Sequence, residues 1–149
     1  MPTGTELGVG LPSVPPVPAR FRGRAWGDTV LRYFVTAVCA GSAGVHAALI
    51  QPHLAEGGVP LGSAFAAAAA ALALAALAVR QPRHGSWAPA AVTAVLCLIA
   101  VSYLLSRTVG IPLLISQAEQ LDPLGAVTTA AELAGAVAGA VLMSRKERQ

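Results

Sequence analysis

The chain has 149 residues, of which 55% are hydrophobic and only 11% charged, with a formal net charge of +3. A soluble domain carries about 25% charged residues, so this composition excludes water as the main solvent. The small positive excess needs no nucleic-acid partner, because membrane topology accounts for it, as follows.

Residues 1–28 form the first unit. Pro12, Pro15, Pro16 and Pro18 interrupt any periodicity, and there is little to bury. The segment reads as a disordered, proline-rich, basic tail. It reads as a simple solvated tail, with docking of a partner domain by its Pro-Pro-Val-Pro stretch as the alternative reading. The basic cluster Arg20, Arg22 and Arg24 suits anionic lipid heads.

Four apolar blocks follow, at about 29–50, 61–79, 88–106 and 124–143. A helix needs roughly 20 apolar residues to cross a hydrocarbon core of ~30 Å, and each block is near that length. None shows the polar stripe of a soluble bundle. The expected fold is therefore all-α, a polytopic membrane four-helix bundle over residues 29–145, with a short tail at 146–149. The small residues at 40–44 imitate a signal-peptide cleavage site. The apolar run continues to Ile50, however, and three more blocks follow, so this block reads as a retained helix. The second block is rich in alanine, with residues 66–71 all Ala. Such a segment forms helix readily but offers little apolar area, so it depends on its neighbours.

Threading these blocks back and forth places every Lys and Arg except Arg107 on one side. The positive-inside rule then puts both termini in the cytoplasm (N-in/C-in) and the loops 51–60 and 108–123 outside. Trp26 and Trp87 fall at the expected inner boundary and Tyr103 at the outer one, as interfacial aromatics do.

Several side chains are candidates for function. Asp122-Pro123 signals the start of the fourth helix. Glu132 then lies roughly 13 Å into that helix. An ionisable residue at such depth marks a functional site or a structural carboxyl that sets helix register. Thr128 and Thr129 share its general face and could hydrogen-bond it. Gly135 and Gly139 form a GxxxG packing stripe. In the first block, His46 lies near the outer end, with His53 and Glu56 beyond it. Gln51-Pro52 is expected to end the first helix. If the chain folds back there, His46, His53 and Glu56 could form a metal site. In a continuous helix the two histidines stand about 10 Å apart along the axis, too far for one ion. Arg107 is expected to have a specific partner, either in an ion pair with Asp122, Glu119, Glu56 or Glu132, or as the anchor of an anionic ligand. Residues 109–115 are too short to span and read as an interfacial segment or lid. Cys39 and Cys97 sit near mid-membrane. They are either a redox pair or two small buried residues that never meet.

Tyr103-Leu-Leu-Ser-Arg-Thr-Val-Gly-Ile-Pro112, together with His46, His53, Glu56 and an acidic residue in the last span, resembles a family of small four-span membrane proteins of high-GC actinobacteria. The likeness runs from His46 to about Glu132. The string from Ser106 to Gly110, followed by Pro112, is its most specific part. Many relatives have an aromatic residue after the loop glutamate, where this chain has Gly57. The resemblance implies the four-span fold and no particular activity.

The functional expectation is a non-enzymatic integral membrane protein with an outward-facing polar pocket formed by His46, His53, Glu56, Arg107 and Glu132. The pocket would take a metal ion or small ligand, or the chain would serve as a small subunit of a membrane complex or homo-oligomer. Two alternatives stand beside it. A haem or other redox role would need a dimer or a further ligand type, because His46 is the only histidine inside a block and His84 lies in the inner loop. A proton-coupled transporter using Glu132 and His46 would need oligomerisation. No phosphate-binding loop, nucleophile elbow or HExxH pattern is present.

Overall fold

Runs dominated by Ala, Leu and Val, with no central Pro, dictate helix, and helix is what these runs form. The structure is a computed structural model and describes residues 19–81, 87–111 and 118–146. The described residues are all-α, and among them four helices are long and apolar enough to cross a membrane. They are Trp26–Glu56, Gly58–Arg80, Trp87–Thr108 and Pro123–Arg145, called the first to fourth helices below.

The first helix differs from expectation at both ends. Its helical backbone already begins at Ala19, so residues 19–28 of the expected tail are helical. Ala and Arg have high helix propensity, which lets the helix continue beyond the apolar run. Residues 1–18, including the Pro-Pro-Val-Pro stretch, lie outside the described residues.

At the other end the helix does not stop at Gln51-Pro52. It continues through Pro52 to Glu56. A proline costs a helix one N–H bond and a clash with the carbonyl four residues earlier. Its bias on the preceding residue is a preference that packing can override. The break falls instead at Gly58, with φ 69° and ψ −164°, a region open essentially to glycine alone. The second helix then doubles back. A Cβ placed on Gly62 would strike the Leu54 side chain, so the two helices meet closely beside the turn.

The third helix ends in a left-handed residue, Gly110 (φ 76°), whose N–H reaches back to the Leu105 carbonyl at 2.9 Å. The fourth helix starts where its sequence signal lies. Asp122 Oδ1 accepts the Gly125 N–H at 2.6 Å, and Pro123 occupies the first helical position.

The connections give an up-down-up-down bundle. At one end the start of the first helix is tied to the ends of the second and fourth. Arg32 Nη1 donates to the Val79 carbonyl at 2.8 Å, and Arg145 pairs with Asp28 at 3.0 Å. This is the terminal end. The turn at Gly58 and the connection between the third and fourth helices lie at the opposite, turn end.

Packing follows membrane rather than aqueous logic. Val35, Leu72, Val79, Val92 and Leu96 are fully buried, and much of the remaining interior is small: Ala75, Ala76, Ala136 and Ala138. Large apolar side chains such as Leu74, Leu98, Val127 and Val137 point outward. Water would penalise so continuous an apolar surface, whereas lipid accepts it and close approach of small residues holds the helices together. The chain is thus a multi-pass membrane protein. The GxxxG stripe shows how close the approach is. A Cβ on Gly135 would lie 2.9 Å from Val38 Cγ1, and one on Gly139 would lie 2.5 Å from Thr93 Oγ1.

Candidate functional site

The fourth helix packs its glycine stripe against the first and third helices, and this contact carries Glu132 into the interior. Gly135 sits on Val38. One turn further along the antiparallel pair, Glu132 therefore meets Ser42. Glu132 is only 1% exposed, and the Ser42 hydroxyl donates a hydrogen bond to its Oε1. Ser42 is itself buried. Cys39, three residues before Ser42 on the same side of the helix, is fully buried.

His46 extends this group by one helical turn. Its Nδ1 lies 3.0 Å from the Ser42 carbonyl oxygen and 3.4 Å from Ser42 Oγ. A carbonyl can only accept, so Nδ1 carries the proton and Nε2 is the basic nitrogen. His53 repeats the pattern, with Nδ1 donating to the Leu49 carbonyl at 2.8 Å. The two imidazoles flank one ring. Phe65 of the second helix stacks on His53 at 3.9 Å between centroids and lies tilted against His46 at 5.5 Å. Ser42, His46, Phe65 and His53 therefore step from the buried carboxyl toward the turn end.

Several sequence expectations need correction. His46, His53 and Glu56 do not come together as a metal site, because the first helix runs on through Pro52 instead of folding back. Phe65 lies against both histidines, and Glu56 is exposed. Among the described residues no group of three His, Cys, Asp or Glu side chains is placed to hold a metal ion. Thr128 does not bond Glu132. Its hydroxyl donates to the Leu124 carbonyl of its own helix at 2.8 Å. Cys39 and Cys97 are both free thiols, the first buried and the second exposed on the bundle surface.

Arg107 has the partners its position demanded, and they form a separate cluster. It pairs with Glu119 at 3.0 Å and Asp122 at 2.7 Å, and donates to the Gln120 carbonyl. Its guanidinium lies 4.8 Å from the centre of the Tyr103 ring, and that ring in turn covers Gly125. Asp122 thus caps the fourth helix and holds Arg107 at once. The arrangement clamps the connection between the third and fourth helices, and Arg107 is committed to it rather than to Glu132. The lid expected at 109–115 lies mostly outside the described residues, as do Arg83 and His84.

Ser42 is the member of the site that the sequence reading missed. The available signal was its spacing, four residues before His46 in an otherwise apolar helix. A hydroxyl in a helix usually bonds its own backbone, so its pairing with the fourth helix required the tertiary contact to be known. No family model matches this chain, and no curated protein or solved structure matches it.

Proposed function

We propose that this chain is a small non-enzymatic membrane protein whose working element is an intramembrane proton site, with Glu132 as the acceptor and Ser42 and His46 as its hydrogen-bonding partners. The observation that carries this reading is the buried bond from the Ser42 hydroxyl to the Glu132 carboxyl, with the His46 imidazole one turn away. A carboxyl inside a membrane is costly, and such residues mark proton and ion sites by default. A carboxyl, a hydroxyl and an imidazole in sequence are the side-chain types that exchange protons.

In this proposal both termini are cytoplasmic, and the turn end faces outward. The distribution of Lys and Arg supports that orientation. Reporter fusions check it: a fluorescent protein fused after Gln149 should be active, and an alkaline phosphatase at the same position inactive.

The proton site itself is tested by infrared difference spectroscopy on the purified protein in lipid. A protonated-carboxyl carbonyl band should titrate with pH and should be absent from Glu132→Gln. A difference spectrum unchanged by Glu132→Gln would refute the proposal.

A further inference from the structure

We infer that Glu132 exchanges its proton with one face of the membrane only, the face at the turn end, and that His46 is the relay. The inference rests on the proton-site reading above and deepens it. The chain would then be a one-sided proton acceptor rather than a path across the bilayer.

The asymmetry is built into the bundle. On the terminal side of Glu132 the interior is closed by Val35, Val79, Val92, Leu96 and Leu142, all buried to within 2%. Ser42 and Val35 are separated by about 10 Å of helix. The hydroxyls along that stretch are already spent on backbone. Thr36 donates to the Arg32 carbonyl at 2.8 Å, and Thr93 to the Pro89 carbonyl at 2.9 Å. Beyond them Arg32 is tied to Val79, and Arg145 to Asp28. Protons do not cross a dry apolar layer without a chain of exchangeable groups.

The turn side carries such a chain. His46 is half-buried; its Nδ1 lies 3.0 Å from the Ser42 carbonyl oxygen and 3.4 Å from Ser42 Oγ, and that hydroxyl bonds Glu132. One transfer moves three protons. Nε2 of His46 takes a proton from the turn side, the Nδ1 proton shifts from the Ser42 carbonyl to the neighbouring Ser42 Oγ, and Ser42 passes its own proton to the Glu132 carboxylate. Charge and protons balance with no further reactant. Return of His46 to its starting tautomer resets the relay.

The groups facing Glu132 on the other helices do not offer a second route. The second helix has no ionisable side chain before Arg80 at its far end. On the third helix Cys97 is exposed, the Tyr103 hydroxyl donates to the Asp122 carbonyl at 3.3 Å, and Arg107 is held by Glu119 and Asp122. On the first helix the Cys39 thiol is enclosed in the apolar layer.

The test uses the full chain in sealed vesicles, sorted by the accessibility of a C-terminal tag into turn-end-out and termini-out populations. The lumen is strongly buffered, the outside pH is stepped, and the Glu132 carboxyl band is followed in time. The band should respond promptly in turn-end-out vesicles. In termini-out vesicles it should follow only the slow leak into the lumen. His46→Gln and His46→Phe should slow the turn-end response by about two orders of magnitude, the range a positioned proton-transfer group supplies. Equally prompt responses from both faces would overturn the sidedness while leaving the proton site intact. An unchanged rate in both His46 variants would remove His46 as the relay. A spectrum with no band dependent on Glu132 would fail the underlying reading instead. If neither His46 variant folds, the two wild-type populations still decide the sidedness.

Discussion

Replacing Ser42 by Ala removes the one hydroxyl that the first helix donates to the buried carboxyl of the fourth. In a soluble protein a hydrogen bond to a charged group contributes about 1.5–3 kcal/mol. In a membrane the unfolded reference state also finds polar partners, and measured interhelical bonds average only ~0.6 kcal/mol, with a maximum of ~1.7. Full burial of both partners places this bond toward the upper part of the membrane range, so we expect a coupling of about 1 kcal/mol. The size of the single effect depends on what replaces the partner. In Glu132→Leu the costly intramembrane carboxyl is gone, and the Ser42 hydroxyl can turn to its own helix backbone. Ser42→Ala should therefore destabilise the wild type by about 1 kcal/mol and the Glu132→Leu background by close to none. Reversible unfolding of the four proteins in mixed micelles, by titration with a denaturing detergent, measures all corners of the cycle. A coupling below ~0.3 kcal/mol, the scatter expected of independent sites, would mean that the bond contributes nothing and would sink the account of how the fourth helix is held in register.

The remaining predictions concern the scaffold. Gly139→Val drives a side chain into Thr93 Oγ1 and the Pro89 carbonyl, and should cost about 1–3 kcal/mol in the same unfolding assay. Gly44→Ala is its control, since a Cβ at Gly44 meets no heavy atom within 4 Å; it should be neutral or stabilise by up to ~1 kcal/mol through helix propensity. Gly58→Ala forces a side chain into a backbone region reserved for glycine and should lower stability by about 1–3 kcal/mol. Arg107→Lys keeps the charge but cannot reach Glu119, Gln120 and Asp122 together. Limited proteolysis should cut the connection between the third and fourth helices faster in this variant, and wild-type cleavage rates would argue against the clamp.

Glu132 was legible as a candidate because apolar neighbours on both sides make a lone carboxylate stand out, and depth along a helix follows from counting residues. The GxxxG stripe was legible for a similar reason, since a period of four puts Gly135 and Gly139 on one face. Arg107 was legible as the exception to the charge bias, and two of its anticipated partners, Glu119 and Asp122, proved to be its partners. The proposed gathering of His46, His53, Glu56, Arg107 and Glu132 in one pocket was not supported by the contacts. Its shared site of His46, His53 and Glu56 depended on a helix end at Pro52, where a local preference competes with packing. The helix continued, Glu56 stayed exposed, and Arg107 was drawn into the connection it stabilises.

The linear chain by itself determined the number of helices, their membrane-spanning length and the residues able to ionise inside them, because these depend on composition and on a rise per residue that neighbours do not alter. The tertiary structure decided which of those residues meet. It placed Ser42 on Glu132, set Phe65 between two histidines, and sealed one side of the carboxyl with apolar side chains while leaving the imidazole on the other. Those pairings depend on how closely Gly135 and Gly139 let the helices approach and on the rotation each helix adopts there. A helix that is apolar all round carries no stripe from which that rotation could be read, so only the packed bundle could define the site.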